Sequence, residues 1–74
     1  MVYVLQGKLG TEELFVSQIF SNQERIVQQF HQYAALIAKI HHLMNQNWVV
    51  HSYHVYRQEN GCANWLMLKV YFIY

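Results

Sequence analysis

A chain of 74 residues has room for one domain, and its single cysteine excludes a disulfide framework. Hydrophobic residues make up 54% and charged residues 12%, about half the usual charged share, with a formal net charge of +1. Those values exclude a charge-driven footprint for nucleic acid or anionic membrane, and the absence of aspartate removes many metal-binding and catalytic motifs at once.

A chain this short buries only about 60% of its unfolded surface, so self-association is a natural source of added stability. Cys62 fits a reducing compartment. Gln6, Gly7 and Lys8 interrupt the apolar Met1–Leu5 too soon for a signal-peptide core. The run Trp65–Tyr74 contains Lys69 and falls well short of the roughly 20 residues a membrane helix needs. The expectation is a cytosolic protein folded as one domain over residues 1–74.

Met1–Leu5 (MVYVL) is β-branched and aromatic and predicts a first strand. Gln6–Glu13 carries two glycines and reads as a hairpin loop, after which Leu14–Phe20 (LFVSQIF) returns as a second strand with mixed faces. Ser21-Asn22-Gln23-Glu24 has the S-x-x-E form of a capping box and starts a helix that runs to Asn45. Ile26, Phe30, Tyr33, Ile37, Ile40 and Met44 form its apolar stripe, widened by Val27, Ala34 and Ala38. Leu36 and Leu43 fall in the polar arc, seven apart, and hint at a second contact.

Asn45-Gln46-Asn47 predicts the helix end, asparagine standing in for the usual glycine. Trp48–Arg57 alternates on a β period, Asn60-Gly61 predicts a two-residue hairpin turn, and Trp65–Tyr74 is the last strand. The expected fold is therefore α+β: a four-stranded antiparallel sheet in ββαββ order, with one long amphipathic helix across one face.

A turn at Asn60-Gly61 sets Tyr56 opposite Trp65, His54 opposite Met67 and Ser52 opposite Lys69. One face then holds Val49, His51, Tyr53, Val55, Leu66, Leu68, Val70 and Phe72, apolar enough to lie under the helix. The other holds Trp48, Val50, Ser52, His54, Tyr56, Trp65, Met67, Lys69, Tyr71 and Ile73. An outer sheet face is ordinarily polar. Each large aromatic carries roughly 150–250 Å² when buried, so this second face exceeds the usual exposed patch and calls for a cover. Either the first hairpin curls over it or a partner does.

Enzymatic and metal chemistry find no constellation. His31 and His42 lie on one helical line but about 16 Å apart, too far for one ion. His41 and His42 diverge around the helix, and His51 and His54 point to opposite sheet faces. Cys62 has no basic neighbour to activate it. Gly7 and Gly10 match no phosphate-loop fingerprint. No cofactor is expected.

The expected function is protein–protein interaction through the aromatic face: self-association as a dimer, or docking on a larger protein that the chain modulates, as small accessory or phage-encoded bacterial regulators do. The expected contact residues are Trp48, Tyr56, Trp65, Met67 and Tyr71, with Leu36 and Leu43 as outward contacts on the helix. The alternative is a sheet platform that stacks single-stranded nucleic acid on those aromatics. Lys69 is the one cation expected on that face, with Arg57 near its rim, too few for phosphate attraction to drive binding.

Overall fold

The structure is a computed structural model that describes residues 1–10, 16–23, 25, 33–60 and 63–74. The described residues form β1 (Val2–Gly10), α1 (Val16–Ile19), α2 (Ala34–Asn45), β2 (Val49–Asn60) and β3 (Ala63–Ile73). The strands make one antiparallel sheet in the order β1-β3-β2. β3 carries a single charge, Lys69, and takes the centre. β1 and β2 take the edges, and Arg57 and Glu59 on β2 discourage further pairing at that edge. Ile26, Val27, Phe30 and His31 of the expected helix, Glu24 of the capping box, and Gly61 and Cys62 lie outside the described residues.

The expected four-stranded sheet under one long helix is overturned: the sheet has three strands, and the helical part is more than one helix. The segment expected as a second strand, Leu14–Phe20, is helical over Val16–Ile19, with Leu14 and Phe15 outside the described residues. Its apolar residues fit a helical period as well as an extended one, and Val16 and Ile19, three apart, turn to the core together as α1. Phe20 packs beside them. Ser21 closes this short helix, its hydroxyl donating to the Gln18 carbonyl at 2.9 Å and its N–H to the same oxygen at 3.2 Å.

Gln6–Gly10 is strand, not hairpin loop. Gly7 and Gly10 serve the approach of the helical layer. A Cβ at Gly7 would meet Leu36 Cδ1 at 2.6 Å, and one at Gly10 would overlap the Tyr33 hydroxyl. Gly10 also sits at φ +114°, a region that side chains other than hydrogen resist.

The helix expected to run unbroken from Ser21 to Asn45 starts afresh at Ala34. Tyr33 stands before it at φ −119°, outside helical geometry, with no side-chain cap. Its C-terminal end is as the asparagines suggest. Asn47 adopts φ 71°, its N–H bonds the Met44 carbonyl (3.2 Å), and the Trp48 N–H bonds the Leu43 carbonyl (3.1 Å). Those two bonds are the Schellman pair, with asparagine in the left-handed position.

The hairpin register differs from expectation by two residues: Asn60 pairs with Ala63, and Tyr56 faces Met67 instead of Trp65. A shift by two keeps every side chain on its face. A bulge between Val50 and Ser52 does not: it turns Val50 and Trp48 to the helical side, packed against the core, and puts Val49 opposite Ile73 on the outer side.

The core comprises Leu5, Leu9, Val16, Ile19, Leu36, Ile37, Ile40, Leu68, Val70 and Phe72, and the described residues bury no polar side chain. Each fully buried member stabilises the fold by about 1.5–3 kcal/mol. His41 ties the helical layer together, its Nε2 donating to the Ile19 carbonyl at 2.9 Å.

Leu36 and Leu43 correct the expected helix phase. Leu36 is buried over Gly7 and Leu43 packs against the core, while Ala38, expected to widen the stripe, is exposed. Both choices keep Ile37 and Ile40 inward. Turning toward the leucines buries several more carbons than turning toward the alanines, at about 0.8 kcal/mol for each buried CH₂. The larger side chains win.

Candidate protein-interaction face

Strand alternation and register assign the uncovered face row by row. Leu68, Val70 and Phe72 are buried under the helices, so Trp65, Met67, Lys69, Tyr71 and Ile73 point the other way. Directly paired residues share a face. Across the three strands the outer rows are Val2–Ile73–Val49, Val4–Tyr71–Ser52, Gln6–Lys69–His54 and Lys8–Met67–Tyr56, with Trp65 opposite Gln58 beyond them.

Of the expected contact residues, Tyr56, Trp65, Met67 and Tyr71 stand together on this face. Trp48 does not. The bulge places it on the helical side, where its ring lies 5.9 Å from that of Tyr3 and 5.3 Å from that of Tyr74. Leu36 and Leu43, expected to point outward, are spent on the core. Among the described residues the expected first hairpin does not form, Gln6–Gly10 continuing as strand and Val16–Ile19 being helix. β1 extends the sheet sideways instead of curling over it, and none of the described elements lies on this face.

The face has two chemically distinct halves. In one, the side chains satisfy each other. Lys8 Nζ lies 2.9 Å from the centre of the Trp65 ring, Lys69 Nζ lies 5.5 Å from that of Tyr71, and His54 stacks on Tyr56 at 5.8 Å with 12° between planes. Gln6 Nε2 donates to the Tyr56 hydroxyl, a bond from one edge strand to the other across β3. Accordingly Tyr56, Trp65, Met67, Lys69 and Tyr71 are only half-exposed.

In the other half none of the described residues closes over the sheet. Val2 is 65%, Val49 59%, Val4 43% and Ile73 40% exposed, four β-branched aliphatic side chains at one end of a sheet face. Val2, Val4 and Val49 were missed by sequence reasoning. Val49 moved faces through the bulge, and the pairing of β1 with β3 has no local signature. The usable signal was the β-branched content of Met1–Leu5, which marked a strand without saying where it pairs.

Among the described residues no three His, Cys, Asp or Glu side chains gather to hold a metal ion, and no helix is long and apolar enough to cross a membrane. Comparison with known proteins gives no match: no family model fits the chain, and no curated protein and no solved structure resembles it at a significant level.

Proposed function

We propose that the chain is a small protein–protein interaction module whose uncovered sheet face is the binding surface, and that its first occupant is a second copy of itself. The carrying observation is the exposed aliphatic end, Val2, Val4, Val49 and Ile73. The rows Val2–Ile73–Val49 and Val4–Tyr71–Ser52 contain no charged side chain, so two copies meet there without like-charge cost. A two-fold contact needs such a self-complementary patch. A standard interface takes about 800 Å² from each partner, more than four aliphatic side chains supply. The aliphatic end is therefore the anchor, and the Gln6–Tyr56 and Lys8–Trp65 half is the polar surround.

Single-stranded nucleic acid is the weaker reading. Among the described residues Lys8 and Lys69 are the cations of this face, and both lie over aromatic rings that a base would have to occupy. A reducing, cytosolic setting completes the proposal, supported by the single cysteine.

Sedimentation velocity over a concentration series tests the reading. The expected result is a dimer that dissociates on dilution, and a Val4→Lys/Ile73→Lys double variant that stays monomeric with an unchanged circular dichroism spectrum. A native chain that remains monomeric at the highest concentration removes self-association and leaves docking on a larger protein as the form of the proposal to pursue.

A further inference from the structure

β1 is an edge strand, and α2 does not close against its outer side. Two grooves run end to end between them. One, of about 350 Å³, is lined by Tyr3, Leu5, Ala38, Lys39, His42 and Leu43. The other, of about 240 Å³, takes Gln6, Gly7 and Lys8 from the strand, Lys39 again, and Tyr33, Ala35 and Leu36. Lys39 belongs to both, so they form one trough along β1 from Tyr3 to Lys8.

The helix wall of this trough is the stripe Ala35, Ala38, Lys39 and His42, spaced i, i+3, i+4, i+7. Two alanines keep that wall back from the strand, and the remaining two residues are basic. Among the described residues no carboxylate lines either groove, while the Lys8 ammonium is turned away over Trp65 on the outer face. The β1 ladder to β3 is regular from Val2 to Lys8 and bulges only beyond it, whereas β2, the opposite edge, is bulged between Val50 and Ser52. Edge strands are normally blunted by bulges, prolines or inward charges. From Val2 to Lys8, β1 has no bulge and no proline.

We propose that the β1–α2 trough is a strand-addition site for an extended acidic segment of a partner protein. In this mode main-chain hydrogen bonds to the strand edge give affinity, and alternate side chains enter pockets that give specificity. Here every second side chain of the added strand would enter the trough between Tyr3 and Leu5 on the strand and Lys39 and His42 on the helix, which selects glutamate or aspartate at those positions, with apolar residues between them continuing the sheet. A second copy of β1 is disfavoured in the same place, because pairing two such edges brings two sets of Lys39 and His42 together. The trough lies on the helical side of the sheet, so this inference stands apart from the self-association of the outer face.

The test uses the full chain and three fluorescent octapeptides: alternating valine and glutamate, alternating valine and lysine, and the glutamate peptide with proline at two positions. Fluorescence anisotropy reads binding, and amide chemical shifts locate it. The expected result is binding of the glutamate peptide alone, with shifts confined to residues 2–8 and 35–43. Lys39→Glu is expected to weaken it about tenfold, and Ala38→Met to abolish it with the circular dichroism spectrum unchanged. A Val49→Lys variant, on the opposite edge strand, keeps full binding, which separates this site from the outer face. Equal binding of the valine–lysine peptide, undiminished binding of the proline peptide, or shifts centred on β2 would each overturn the assignment.

Discussion

The two faces of β3 are made of nearly the same kind of residue and end in opposite circumstances. Leu68, Val70 and Phe72 on one side are fully buried, and Met67, Tyr71 and Ile73 on the other are half-exposed or exposed. The difference lies in what the chain had left to cover them. Among the described residues, one helix of twelve residues and one of four cover a single face of the three-stranded sheet. The second face is managed by its own side chains. Lys8 and Lys69 lie over aromatic rings, and Gln6 reaches Tyr56 across β3 until the strand ends are reached, where only valines and an isoleucine remain. Hydrophobic content alone therefore does not mark a core. Coverage does, and on this sheet the uncovered aliphatic end is what a partner would gain most by covering.

Neighbouring substitutions on β3 give the sharpest way to break that contrast. Phe72→Ala should cost about 3–5 kcal/mol in urea unfolding, the range for a buried Phe. That is a large part of the about 4–11 kcal/mol expected for a domain of this size. Ile73→Ala, one residue on, should change unfolding of the dilute chain by within about 0.5 kcal/mol and act instead on association, which sedimentation reads. If Ile73→Ala proves as costly as Phe72→Ala at a dilution where only monomer is present, the outer face is part of the monomer's own core and the comparison fails. A smaller effect tests the covered side from the strand edge. Gly7→Ala pushes a methyl to 2.6 Å from Leu36 Cδ1, and overpacking of that kind costs about 1–3 kcal/mol. The same change at an exposed strand position without the helix above it would be neutral or stabilising, so a Gly7→Ala variant with a raised melting temperature would show that α2 does not sit down on β1.

What could be read from the chain and what could not divides along the same physical line. The hairpin faces survived a register error because a slip of two residues preserves parity, and so Tyr56, Trp65, Met67 and Tyr71 were placed correctly from alternation alone. Trp48 was not, because a bulge inserts one residue without any compositional mark. Leu14–Phe20 offered apolar residues at both periods, and only packing into the common core decides for the helix over Val16–Ile19. Gly7 and Gly10 looked like turn residues, as isolated glycines do, when their function is to admit Leu36 and Tyr33. Leu36 and Leu43 were misplaced by treating the helix phase as fixed by the longest stripe, when the phase is set by total buried volume. Each miss concerns tertiary contact: which strand pairs with which, and what lies above it. Local features, such as the asparagine end of α2 and the strand character of β3, were legible.

The smallest expected effect bears on why the aromatic half of the outer face is quieter than the aliphatic half. Lys8 on β1 holds its ammonium over Trp65 on β3, beside the row Lys8–Met67–Tyr56. A cation over an indole at a partly exposed site is worth about 0.5–1 kcal/mol. Lys8→Met keeps most of the aliphatic stem and removes the charge, so it should lower stability by about that amount and no more. A double-mutant cycle with Trp65→Leu isolates the pair, and a coupling indistinguishable from zero would show that the lysine merely passes near the ring. Trp48 serves as the internal control in fluorescence, since its neighbours Tyr3 and Tyr74 are untouched by the change. The informative outcome is in association. If the Lys8 cover keeps Trp65 out of the interface, Lys8→Met should strengthen self-association by uncovering a second anchor beside the aliphatic end. If instead association is unchanged while stability falls, the interface stops at Val4 and Tyr71, and the two halves of the face act independently.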